Sequence, residues 1–362
     1  MIAFAAALFW QAASPQPRPS FEALSRQAAE ARDAKRMDDA LVLYKKALKL
    51  KPGWDEGLWE AGSIEYDQDK YKECSADFER LASLKRDEPP PLTMAGLCEY
   101  HARDYEAALK SLLEADRLGS KGPPELARTA RLHLALVLIK LNSFEKAIST
   151  LVELSHDTKK TPDIIVASGI AGLRQPWTPP EVPESERDKV FKLGDAMAAV
   201  MEQDSKEAVQ KFDLVIHDYP NDANVHFRYG AYLLLQDPDH GVAEIRKALE
   251  LDPAHIPALV GLAAVYRKRG DMPTAREYAE RAVKLAPKDF ATHVTLGRVL
   301  LDSDDAPGAV HELETAIKQA PGSPEAHFNL AVAYAKVGRK EDAAHERQEF
   351  QRLRKTTDPA QP

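Results

Sequence analysis

The sequence predicts an all-α fold, an α-α superhelix (solenoid) built from two arrays of helix–turn–helix repeats. Three observations predict it. Ala, Leu, Lys, Glu and Arg dominate outside the ends and runs of β-branched residues are scarce, which is a helical composition. A frame of small–x6–small–x4–Pro recurs as "ALVLYKKALKLKP" (40–52), "AVQKFDLVIHDYP" (208–220), "GVAEIRKALELDP" (241–253), "AREYAERAVKLAP" (275–287) and "AVHELETAIKQAP" (309–321). The prolines at 220, 253, 287 and 321 are spaced by 33, 34 and 34 residues. That is the period of a helical hairpin that buries its apolar face only by stacking on copies of itself.

With the proline placed at position 32, nine copies start near residues 21, 55, 89, 128, 189, 223, 256, 290 and 324. The first helix of each carries a small residue at position 8: Ala28, Gly62, Gly96, Ala135, Ala196, Gly230, Ala263, Gly297 and Ala331. The second carries one at position 20: Ala40, Cys74, Ala108, Ala147, Ala208, Gly241, Ala275, Ala309 and Ala343. Helices cross closely only where both present small side chains, so these pairs mark the hairpin contact. Position 24 is larger and apolar (Tyr44, Phe78, Leu112, Leu151, Phe212, Ile245, Leu313) and lies on one stripe with positions 20 and 27. The proline ends the second helix and launches the next unit.

The interval between the fourth and fifth copies exceeds one period. "TPDIIVASGIAGL" supplies a first helix with Gly169 at position 8, but "QPWTPPEVPESERDK" follows, and its four prolines exclude a helix. The expected division is therefore an array of four and a half repeats over 21–175, a proline-rich linker over 176–188, and an array of five repeats over 189–362. After Ala343 the last helix runs on as "AAHERQEFQRLRKTT", polar on one side, as a capping helix requires.

The pattern resembles the tetratricopeptide repeat, whose consensus has Trp at 4, Leu at 7, Gly or Ala at 8, Tyr at 11, Ala at 20, Phe at 24, Ala at 27 and Pro at 32. The resemblance covers residues 21 to about 355. Position 4 is never Trp here, being His226, His293 and His327 in three copies, and the fourth copy has Lys159 where the proline belongs. The resemblance implies a binding groove lined by positions 2, 5, 9 and 12 of the first helices. In the first array these include Trp59, Tyr66, Leu97, Tyr100, Leu132, Leu136 and Ile139; in the second, Leu193, Met197, Phe227, Leu234, Val260, Arg267, Val294, Arg298 and Phe328. Trp59 and Tyr66 share a helix face, and Tyr100 repeats the position of Tyr66, so the three are expected to form one aromatic patch. Aromatic and aliphatic anchors along a groove suit a protein or peptide partner. The family's clamp for chaperone C-termini needs Lys at 5 and Asn at 9, which no copy has.

Other chemistries lack their motifs. Equivalent histidines of stacked units stand about 10 Å or more apart, given interaxial spacings of 8–10 Å, whereas zinc ligands converge on one ion at about 2 Å. Packing is the reading for His226, His293 and His327. "HELE" (311–314) lacks the second histidine of a zincin. No phosphate loop, dinucleotide fingerprint or nucleophile elbow occurs, so neither catalysis nor a cofactor is expected. A formal net charge of −8 and pI near 5.8 disfavour nucleic acid as a general partner. The basic groups Arg267, Lys268, Arg269 and Arg352, Arg354, Lys355 read as solvated helix faces.

The segment 1–20 opens on an apolar run, Met1 to Trp10, followed by Pro15, Pro17 and Pro19. It is too short to span a bilayer and fits a signal-peptide core, although no basic residue precedes Arg18. Export, to a bacterial envelope, is the expectation, with an intracellular adaptor as the alternative. Cys74 and Cys98 fall within helices, where a buried cysteine behaves as a small hydrophobe; a disulfide is the other reading if the chain is exported. The expected function is a non-catalytic protein-binding scaffold.

Overall fold

The computed structural model describes residues 19–119, 123–157 and 160–357. The apolar run read as a signal-peptide core lies outside them. Among the described residues nineteen α-helices follow one another without a strand, and none is long and apolar enough to cross a membrane. The chain divides into two compact units, Met1–Leu154 and Ser155–Pro362.

In the first unit α1 (Phe21–Asp33) pairs with α2 (Met37–Leu50), α3 (Asp55–Asp67) with α4 (Tyr71–Leu84), and α5 (Pro89–His101) with α6 (Tyr105–Leu118). α7 (Pro124–Lys140) and α8 (Phe144–Asp157), whose last residues pass the 154/155 boundary, complete the series. The second unit begins with α9 (Pro162–Gly172) and continues through α10 (Arg187–Met201), α11 (Ser205–Asp218), α12 (Ala223–Leu233) and α13 (Pro238–Leu251). Three hairpins follow: α14 (Ile256–Lys268) with α15 (Met272–Leu285), α16 (Phe290–Asp302) with α17 (Ala306–Gln319), and α18 (Pro324–Lys336) with α19 (Lys340–Thr357).

The frame read from the sequence is the core. Ala40, Cys74, Ala108, Ala147, Ala208, Ala275 and Ala309 at position 20 have no exposed surface. Tyr44, Phe78, Leu112, Leu151, Phe212, Ile245 and Leu313 at position 24 are at most 1% exposed. The closest partner of a position-8 glycine is the position-24 side chain: an added Cβ would lie 2.6 Å from Leu112 Cγ at Gly96 and 2.6 Å from Leu313 Cγ at Gly297. The absent side chain at 8 makes room for the large one at 24.

Eight of the nine hairpins turn through a left-handed residue at position 15. Lys35, Asp69, Arg103, Asn142, Gln203 and Asp304 have φ between 56° and 63°, and Gly270 and Gly338 are near 80°. One such residue reverses the chain between two helices, at a cost of roughly 1–2 kcal/mol where it is not glycine. The α12–α13 turn lacks one; there Asp237 has φ −134° and Pro238 opens α13. This is where the repeat spaced by 33 residues lost its thirty-fourth.

The proline-rich stretch differs from the expected linker. Two single-turn 3-10 helices, Pro179–Glu181 and Glu184–Glu186, form within it, and the Thr178 amide donates to Glu181 Oε2 at 2.8 Å. Val182 is buried. The stretch connects α9 to α10, which pack together, so the helix that the sequence left unpartnered has its partner after the prolines. A Cβ on Gly169 would meet the Val190 carbonyl oxygen, and one on Gly194 the Ile165 carbonyl oxygen, both closer than 2 Å. The physical reason lies in α9 itself: PDIIVASGIAG is apolar on every side, so one neighbour cannot bury it. The division between units thus falls at 154/155, upstream of 176–188.

Cys74 and Cys98 form a disulfide between α4 and α5, with Cα atoms 5.9 Å apart and both residues fully buried. It ties the second helix of one repeat to the first helix of the next.

Candidate partner-binding face

In the first unit the structure gathers a row of rings at the turn ends of successive repeats. Tyr66, near the end of α3, meets the His101 ring at 5.6 Å, and its Oη lies 3.1 Å from His101 Nε2. His101, the last residue of α5, stacks on Tyr71 at 4.9 Å and touches Tyr100 at 5.2 Å. Tyr100 reaches Tyr105 at 5.9 Å and His133 of α7 at 5.0 Å. Lys140 Nζ sits 5.5 Å from the centre of the Tyr105 ring, so this row already attracts one cation.

At His101, Tyr66 and Tyr71 the surroundings favour the neutral form. Burial lowers His101 below the usual imidazole range and raises Tyr66. Tyr71 donates to Asp69 Oδ1 at 2.5 Å, and that bond pushes its hydroxyl up to about 12. The rings therefore present apolar bodies with hydroxyl and imidazole edges, the combination that anchors protein interfaces.

Tyr66 and Tyr100 are thus brought together, with His101 between them. Trp59 is not part of the row. Its ring packs edge-on against Phe78 at 5.4 Å and is half-buried against the core of the first unit. Tyr71, Tyr105, His101 and His133 were missed because positions 17, 13 and 6 lie outside the groove set. A signal was available: position 17 is aromatic in three consecutive copies, as Tyr71, Tyr105 and Phe144.

The remaining expected groove residues divide by burial. Leu97, Leu136, Ile139, Leu193, Met197, Phe227 and Val294 are buried, which assigns them to packing between neighbouring helices. Leu132, Leu234 and Val260 are half-buried. Arg267 and Arg298 bond across to the next repeat, to Asp302 at 2.5 Å and to Glu325 at 2.6 Å. Phe328 is 50% exposed and leans on Phe350 at 5.3 Å.

The three position-4 histidines share one arrangement. Nε2 of His226, His293 and His327 bonds the carbonyl oxygen of Pro220, Pro287 and Pro321 at 2.9, 2.9 and 3.0 Å. Nδ1 faces Glu244, Glu312 and Glu346 at 2.6, 2.6 and 2.5 Å. A carbonyl only accepts, so Nε2 carries a proton in each. At His226 the Glu244 carboxylate raises the imidazole above its ordinary value. His255 is the opposite case. Its Nδ1 accepts from the Ala258 amide at 3.2 Å, capping α14, and burial followed by the nearby Arg174 charge lowers it to about 4. Among the described residues no group of three or more His, Cys, Asp or Glu side chains is placed to hold a metal ion.

The family model described as the cilia and flagella-associated protein 70 middle TPR-like domain matches residues 196–354. No curated protein matches the chain in sequence. Among solved structures, MamA 41-end from Desulfovibrio magneticus RS-1 is 20% identical, with a TM-score of 0.42 over 46% of this chain and 96% of its own. Yeast Tom70 is 16% identical, with a TM-score of 0.33 over 92% of each chain. Overlaps of this kind carry neither a partner nor a location across to this chain.

Proposed function

We propose that this tetratricopeptide-repeat protein is a non-catalytic scaffold that holds a peptide or helix of a partner protein on its first-helix face, in a bacterial cell envelope. The carrying observation is the row of Tyr66, Tyr71, His101, Tyr100, Tyr105 and His133, which joins three repeats into one amphipathic strip. Rigid rings lose little conformational freedom on binding and cover much area, so an apolar or aromatic anchor gains most there. The Cys74–Cys98 disulfide supports the location, because such bonds persist in oxidising compartments; the apolar stretch from Met1 to Trp10 agrees with it.

A photo-activated crosslinker at Tyr66 should capture a protein that one at Lys46, on a second helix, does not. Tyr66→Ala with Tyr100→Ala should abolish capture while circular dichroism stays unchanged, since truncation of a central aromatic costs about 2 kcal/mol of binding or more. Retained capture by the folded double variant would refute the site. For location, cysteines found reduced in intact cells would count against the envelope.

A further inference from the structure

Two successive repeat interfaces of the first unit place the same three positions together and fill them differently. At the first, Lys45 of α2 sets its Nζ 2.6 Å from Glu65 Oε1 and 2.7 Å from Asp77 Oδ2. Glu65 is 2% exposed, and this ammonium is what allows its charge to be buried. One repeat later, 34 residues on in each case, Lys45 becomes Glu79, Glu65 becomes Glu99 and Asp77 becomes Ser111. Glu99 is 4% exposed. Its Oε1 accepts from the Ser111 hydroxyl at 3.2 Å; its Oε2, like that of Glu65, is buried without a hydrogen-bond partner, so the two sites differ at Oε1, where a hydroxyl stands in place of the ammonium. The cation of the first interface has been replaced by a second carboxylate.

Space is present for what is missing. Glu79 and Glu99 line an open cavity of about 410 Å³ between α4, the end of α5 and the start of α6. Lys72 and Arg103 lie on its wall beside Asp104 and Glu106, so those four charges balance and the carboxyl groups of Glu79 and Glu99 are left in excess. Burial foremost, and the facing Glu79 carboxyl in addition, push Glu99 up to about 7, against the Ser111 bond that lowers it. The Cys74–Cys98 disulfide joins the two helices that carry the pair, one residue from Glu99, which holds the carboxylates in place before any ligand arrives.

We propose that the cavity beside Glu79 and Glu99 recognises an alkylammonium group, the lysine side chain of a peptide partner, which enters where Lys45 Nζ sits one repeat earlier. The four-carbon stem passes the rim and the ammonium donates to Glu99 and Glu79, as Lys45 donates to Glu65 and Asp77. A compact point charge with three donors fits the two carboxylates and the hydroxyl. The site is separate from the ring row, which can fail without affecting it.

The test uses the full chain and two probes, N-acetyl-lysine methylamide and its norleucine counterpart, which lacks the amine. The side-chain carboxyl resonance of Glu99 should move saturably with the lysine probe at millimolar concentration and stay fixed with norleucine. Glu79→Lys should refill the position, melt no lower than the parent chain, and weaken the probe about tenfold or more. Glu79→Gln, which adds no charge, should weaken it by a smaller factor. An equal response to norleucine, undiminished binding by both variants, or a calcium or magnesium salt moving the resonance at lower concentration than lysine would each overturn the proposal.

Discussion

At Gly297 an added Cβ already lies 2.6 Å from Leu313 Cγ, so Gly297→Leu must push α16 away from α17. Overpacking of this kind costs about 1–3 kcal/mol, and its melting temperature should fall below that of a change at exposed Lys288, with equal values refuting the register. Two histidines set opposite pH responses in the second unit. His226 is raised in the fold, so its stabilisation is full below the unfolded value of 6.5 and is lost as pH climbs through its higher folded value. His255 is lowered to about 4, so folding excludes a proton and stability falls as pH drops from 6.5 toward 4. Thermal melts should show His226→Gln removing loss on the alkaline side and His255→Asn reducing loss on the acid side. Reversed assignments would show that the Glu244 and Ala258 contacts do not govern these rings.

Among the elements, the hairpins were legible because small residues at 8 and 20 and a proline at 32 each answer a steric demand of the crossing itself. The left-handed turns were not, since six of the eight at position 15 are not glycine, and Lys35, Arg103 and Gln203 among them carry no preference for a positive φ. The partner of α9 was hidden by the prolines: they forbid helix over 176–188 but do not forbid docking, and Val182 docks. The candidate site was half legible. Tyr66 and Tyr100 follow from helix periodicity, whereas Tyr71 and Tyr105 start second helices and reach the row only through the turn. Loss of α9 uncovers Leu193 and Gly194 on α10, so residues 189–357 alone should melt several degrees below residues 160–357. Equal melting would mean that α9 contributes no core.

At the scale of the whole molecule, two compact units predict two sensitivities. The disulfide lies in the first unit only and closes a separation of 24 residues, a loop for which cross-linking contributes about 3 kcal/mol. Calorimetry with and without reductant should therefore lower the unfolding of the first unit and leave that of the second unchanged. A shift of both together would show that the units unfold as one.

That same bond also sets how far the chain extends under tension. Held at both ends, an oxidised molecule cannot extend the stretch from Cys74 to Cys98, a separation of 24 residues and a contour length of roughly 80 Å at about 3.4 Å per residue. Stretched singly, reduced molecules should reach a final length greater by that amount, released only after α4 and α5 have given way. The bond thus leaves a fixed stretch of the chain slack under load, and the two carboxylates of Glu79 and Glu99 are carried by the helices it joins.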